Sequence, residues 1–276
     1  VALVYDVRTA ESFTELFDVL DKLRGMGGVC RMLFLQASPE TVIKRYKETR
    51  RRHPLSAGAD TLEEAVRREA EVMRPVRERA DYVIDTSNLS TAQLRAEILR
   101  LFKDTGAFLC TTISPALPYA LFDRSITHAT EVEQYNGTIV FEGIIDCAKA
   151  ALANDIPVVL GDDVGCPWIT QYDFWRELFY FHKYTGVSNA FALYTATSRS
   201  AELAGIGSET GTVAPGKCAD LIVTAANPLE DLRALRHVEM VMARGQLTGH
   251  PRFKRRPEVE AQLDRFLTDE SGAAAR

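Results

Sequence analysis

Short apolar runs set between amphipathic stretches constrain this chain most. VALVYDV, RMLFLQAS and ADYVIDTS read as strands, and ESFTELFDVLDKLRGMG, SPETVIKRYKETRRR, DTLEEAVRREAEVMRPVRERA and STAQLRAEILRLF carry apolar residues at helical spacing. Strands bracketed by helices in this order predict an α/β fold with a parallel sheet, because parallel neighbours need a crossover between them. Ser38 opens the second helix and His53-Pro54 stops it. Asp60 or Thr61 caps the third, and Pro75, which has no N–H to donate, is expected to kink or break it.

Near KDTG, Lys103 to Gly106, the Arg-rich helices end and aromatics become commoner, so a domain boundary is placed between residues 1–103 and 104–276. Beyond it GAFLCTTIS and IPVVLGDD read as strands. FEGIIDCAKAALAND, YDFWRELFYFHKYTG and SNAFALYTATSRSAELAG read as helices, the last capped by Ser188 or Asn189 and ended by Gly205. GTVAPGKCADLIVTAANP and VEMVMARGQLT look like short strands around turns, and the tail ESGAAAR is expected to fray. The aromatic run FWRELFYFHKY reads as core and rim packing, with His182 a satisfied histidine within it.

Composition narrows the partners. With 33 basic against 38 acidic residues the formal charge is −5, too mild to imply a nucleic-acid or membrane surface by itself. Five scattered Cys without a C-x-x-C pair argue against a disulfide framework or a Cys-rich zinc site, and a reducing cytoplasm is the expected location. No apolar run approaches the roughly 18 to 20 residues of a transmembrane helix, so no membrane partner is expected. The chain opens on Val in mid-strand, without a signal-peptide layout, and a missing upstream segment is expected.

Two places carry chemistry. Asp6 ends an apolar strand, where open α/β sheets put ligand contacts, and RYKETRRRHPL supplies Arg45, Arg50, Arg51 and Arg52. Arginine forks match phosphate oxygens; equally, a solvated basic face paired to the acids of DTLEE and EAE accounts for such a run. The stretches DVRTAESFTELFDVLDKL, MLFLQASPETVIKRYKETRRRHPL and REAEVMRPVRERADYVIDTSNLSTAQLR resemble the RapZ/YvcJ family of P-loop nucleotide-binding proteins, one of whose members is an RNase adapter. The resemblance covers about residues 1–103 and implies ATP or GTP contacts at Asp6, Val7, Arg8 and Thr9, with RNA a secondary partner through the arginines. A G-x-x-x-x-G-K-[ST] phosphate loop is absent from the sequence.

The second place is VVLGDDVGCPW, where a buried strand delivers Asp162 and Asp163 to a tip. Such an acid either caps the next helix or faces a site; neighbours on a strand point opposite ways, so one of the two is expected to face a site. The text from YNGTIVFEGIIDCAKAALAND through GTVAPGKCADLIVTAANPLED to VEMVMARGQL resembles the C-terminal part of the amidohydrolase superfamily, nearest its imidazolonepropionase-like and prolidase-like members. Over about residues 106–250 the resemblance implies the last two strands of a TIM barrel followed by strands of a small β-domain. It implies that Asp163 binds a divalent metal such as zinc and accepts a proton from the attacking water, on a small-molecule amide substrate. An H-x-H pair is absent, and none of His53, His128, His182, His237 and His250 matches a family ligand.

The expected whole is α/β: a partial P-loop-type parallel sheet segment, then a partial TIM barrel of its last two βα units, with strands of the small β-domain. The expected function is metal-dependent hydrolysis of a C–N bond joined to a RapZ-like nucleotide-binding segment, inactive as it stands because each site lacks its principal parts, as in a truncated or mis-joined gene. Alternatives are an oligomer whose further chains supply the missing ligands, and a nucleotide- or RNA-binding regulatory module without catalysis.

Overall fold

The computed structural model describes residues 13–27, 30–49, 53–56 and 61–268. The chain divides into two units, Val1–Ile98 and Leu99–Arg276. The expected first strand VALVYDV, the site residues Asp6, Val7, Arg8, Thr9, Arg50, Arg51 and Arg52, and the tail ESGAAAR lie outside the described residues.

In the first unit α1 (Thr14–Gly25) precedes β1 (Leu33–Gln36), α2 (Pro39–Thr49), α3 (Leu62–Glu78) and β2 (Tyr82–Asp85), and α4 (Thr91–Thr105) runs across the division. β1 and β2 pair in parallel, Leu33 opposite Tyr82 and Gln36 opposite Asp85. Thr61 is the cap of α3: its hydroxyl accepts from the Glu64 N–H at 3.2 Å while the Glu64 carboxylate accepts from the Thr61 N–H at 2.9 Å. The expected break at Pro75 does not occur, and α3 runs unbroken through it. Losing one intrahelical bond is outweighed by burial of Ala65, Val66 and Val76 along the same helix.

The second unit is built on β3 (Leu109–Thr111) and β4 (Val158–Leu160), a parallel pair with Leu109 opposite Val158 and Thr111 opposite Leu160. The crossover between them carries α5 (Leu117–Leu121), α6 (Arg124–Thr127) and α7 (Glu131–Ala153). α7 begins at Glu131, well ahead of the expected FEGII start, because Thr130 and Glu133 form a second capping box. α5 and α6 went unanticipated; α5 crosses α7 at Gly137, where a Cβ would stand 2.7 Å from the Tyr119 carbonyl oxygen. Every residue of β4 is buried, as a parallel strand covered on both faces must be.

After β4 come α8 (Phe174–Thr185), α9 (Asn189–Tyr194), a π-helical turn at Thr195–Arg199 and α10 (Ser200–Leu203). Ser188 caps this composite helix, its Oγ accepting from the Phe191 N–H. The π turn sits where the Ser200 hydroxyl donates to the Thr195 carbonyl at 2.7 Å and the Thr197 hydroxyl to that of Leu193, taking carbonyls from the helical ladder. β5 (Leu221–Thr224), β6 (Val238–Ala243) and β7 (Gln246–Gly249) form an antiparallel sheet, and α11 (Pro257–Asp264) returns to the core of the unit through Leu263. The described sheets are small: two parallel pairs and this three-stranded one. Among the described residues no helix is long and apolar enough to cross a membrane.

Candidate functional site

Past the end of β4 the chain turns its two acids to different surroundings. Asp163 is exposed, with φ of 48°, in the left-handed region that non-glycine residues seldom occupy. Its carbonyl accepts from the Cys166 N–H at 3.0 Å, and Trp168, with φ of 71°, closes the same irregular segment. Asp162 turns inward, and its Oδ2 is buried without a protein hydrogen-bond partner. Burial first, then the charges of Asp173 and Asp163, push the Asp162 carboxyl up to about 6. Gly161 keeps the two strand ends close: a Cβ there would lie 2.9 Å from Thr112 Cγ2 and 3.0 Å from Cys110 Sγ. Burial, then the negative charges of Asp163 and Glu177, raise the Cys110 thiol above its usual range.

Beneath this tip α8 presents charged residues that sequence reasoning did not single out. Glu177 is fully buried and accepts the backbone N–H of Ile113 and of Ser114, each at 2.7 Å, which fixes the chain leaving β3. Burial pushes its carboxyl up to about 7 against the pull of those two donors. Arg176, 2% exposed, pairs with Asp173 at 3.3 Å and Asp264 at 2.6 Å; Arg236 joins Asp264 and Glu260 at 2.9 Å each. The signal lay in FWRELF: adjacent opposite charges inside an aromatic helix face can be buried only if both are satisfied. The flanking Trp175, Leu178, Phe179, Tyr180 and Phe181 are buried, as core packing, and His182 lies 2.6 Å through Nδ1 from the Val187 carbonyl.

In the first unit Arg45 fastens the IDTS motif, donating to Thr86 Oγ1 at 3.2 Å and to the Thr86 carbonyl at 3.0 Å. His53 of the HPL motif is buried, with Nε2 donating to Glu69 at 2.9 Å while Nδ1 accepts the Leu55 N–H. Both residues therefore act in holding the unit together.

A catalytic divalent ion takes about three protein ligands. Among the described residues no group of three His, Cys, Asp or Glu side chains is placed to hold one. Asp163 stands exposed and Asp162 faces the interior, so the described donor set does not fit a metal centre of that kind.

Comparison with known proteins finds a separate likeness for each of these two regions. The RapZ-like N-terminal domain matches residues 1–106, and the amidohydrolase family matches residues 136–248. A nucleotide-binding protein of Lachnoclostridium phytofermentans is 41% identical over 124 residues, 44% of this chain and 43% of that protein. One from Heliobacterium modesticaldum is 47% identical over 102 residues, 37% of this chain and 34% of that protein. Among solved structures, a Bifidobacterium longum protein assigned to the prolidases is 38% identical with a TM-score of 0.56, over 58% of this chain and 39% of that one. The chain thus spans less than half the length of each of these relatives. It carries, in succession, a RapZ-like N-terminal domain and an amidohydrolase-like domain.

Proposed function

We propose that the chain joins a RapZ-like nucleotide-binding segment, residues 1–103, to the closing part of an amidohydrolase, residues 104–276, and that Asp163 is the carboxylate which takes a proton from the water attacking an amide or cyclic amide. In this reading β3 and β4 are the last two strands of a TIM barrel and β5 to β7 belong to the small β-domain. The observation that carries it is the exposure of Asp163 at the C-terminal end of a parallel strand, where barrels keep their catalytic groups. The chain alone is inactive in this reading, because its described residues do not complete a ligand set around Asp163. An Xaa-Pro dipeptide is the substrate class to try first, following the prolidase likeness. The test is calorimetric titration of zinc into the purified chain and into Asp163→Asn, with dipeptide hydrolysis followed in both. The expected result is no stoichiometric binding and equal background rates; zinc-dependent turnover lost in Asp163→Asn would mean that an oligomer or partner supplies the ligands.

A second reading, a regulatory module that binds nucleotide or RNA without catalysis, is favoured by the match of the first 106 residues to a family whose relatives are called nucleotide-binding. ATP or GTP would contact Asp6, Val7, Arg8 and Thr9, and phosphates would meet Arg50, Arg51 and Arg52, with Arg45 serving through Thr86. Its mark is binding that weakens steeply with salt and is lost when those three arginines become Glu. The scattered cysteines, without a C-x-x-C pair, go with a cytoplasmic location in either reading.

A further inference from the structure

Between β4, α8 and the segment joining them lies a small cavity of about 10 Å³, lined by Ser114, Asp162, Trp168, Ile169, Thr170, Asp173, Arg176, Tyr180 and Leu263. Six of these residues carry buried polar atoms without a protein hydrogen bond, Ser114 Oγ, Asp162 Oδ2, Thr170 Oγ1, Asp173 Oδ2, Arg176 Nη1 and Tyr180 Oη, of which Asp173 Oδ2 meets Arg176 Nε only as an ion pair at 3.3 Å. Ser114, Thr170, Asp173, Arg176 and Tyr180 are each more than nine-tenths buried. So many unsatisfied groups around one space is not an accident of packing, since each costs free energy when left unpaired.

The chemistry of the lining selects the occupant. Two carboxylates oppose an anion, and the guanidinium of Arg176 opposes a cation. The occupant must donate to Asp162 and Asp173 and also accept from Arg176 and Tyr180, and the volume admits a single heavy atom. We propose that this cavity is a binding site for one ordered water, which joins the inward acid at the tip of β4 to α8. Through it the backbone leading into Asp163 is held by hydrogen bonds rather than by apolar contact alone. The site does not depend on whether Asp163 takes part in hydrolysis.

Two measurements test it. A high-resolution crystal structure of the full chain is expected to show one density peak in the cavity with three or more contacts of about 2.6–3.2 Å. An empty cavity, or a peak with contacts near 2.3–2.4 Å as for a bound cation, overturns the proposal. Independently, Tyr180→Phe and Thr170→Val separate a bonded from an orphaned hydroxyl by the sign of their effect. Removing a hydroxyl that bonds a water raises the unfolding equilibrium constant by about fivefold, whereas removing one that is buried unpaired lowers it. A rise in both variants is expected, and a fall in both overturns the proposal.

Discussion

Two strand ends in this molecule look alike in sequence and behave in opposite ways. YVIDTS closes β2 and VVLGDD closes β4, each an apolar run ending in acid. Asp85, at the first, is exposed and accepts from the Ser87 N–H, the Ser87 hydroxyl and the Gln36 amide. Those bonds, the Ser87 side chain first, hold its carboxyl below the usual range. Asp162, at the second, has a buried oxygen without a protein partner, and its carboxyl is pushed up. The same contrast separates the fastenings: Arg45 ties β2 through two bonds to Thr86, while Arg176 and Glu177 brace the second unit from within its core. What decides the fate of a strand-end acid is the cover above it, not the strand that delivers it.

The contrast breaks most visibly at Arg176. Arg176→Met leaves Asp173 buried without its cation and Asp264 with one partner fewer, and a loss of about 3–5 kcal/mol is expected. Arg45→Met, the counterpart in the first unit, removes the bonds to Thr86 and should cost about 1–2 kcal/mol. Urea unfolding reads the Arg176 variant cleanly, since both tryptophans, Trp168 and Trp175, lie in the second unit and report it alone. Equal losses for the two arginines, with Arg45→Met followed by circular dichroism, would erase the distinction.

Glu177→Gln comes next. An amide in place of one oxygen leaves one of the N–H groups of Ile113 and Ser114 unpaired, for about 1–3 kcal/mol. The folded carboxyl titrates near 7 against 4.5 for the free group, so between those values the native state holds a proton that the unfolded chain has released. Stability of the second unit therefore falls as pH rises from about 4.5 to 7, and the Gln variant should flatten that slope. A slope unchanged in Glu177→Gln would place the titrating group elsewhere.

Much of the fold was legible because local signals agreed. Helical spacing marked α1 to α4 and α8, with caps at α2 and α3, and the parallel pairs followed from strand-helix alternation. The break allowed for at Pro75 did not follow, because propensity counts one lost bond and not the burial of Val76 beside it. α5 was hidden because its contact with α7 depends on Gly137, a close approach across some twenty residues that no local pattern records. Past β4 the expectation that the two acids would face different ways agrees with an exposed Asp163 and an inward Asp162, although both lie beyond the strand and Asp163 has left-handed backbone, so strand alternation is not what parts them. Glu177 could not be read, since its partners are backbone N–H groups more than sixty residues away, which every sequence possesses.

The smallest effect is also the most direct measure of the contrast. Carboxyl NMR titration of the full chain, assigned with Asp85→Asn and Asp162→Asn, should give midpoints on opposite sides of 3.8: below it for Asp85, and near 6 for Asp162. The signs follow from what each carboxylate meets. Donors on Asp85 stabilise its charged form, so the stability it contributes is present above the unfolded value and is lost as pH falls through the folded one. Burial beside Asp173 destabilises the charged form of Asp162, so it weakens the fold as pH rises through its own midpoint. Asp162→Asn should accordingly make stability less steep between about pH 4 and 6, whereas Asp85→Asn should act only in more acidic solution. Coincident midpoints would mean that Asp162 reaches solvent, and the cover over the tip of β4 would then have to be open.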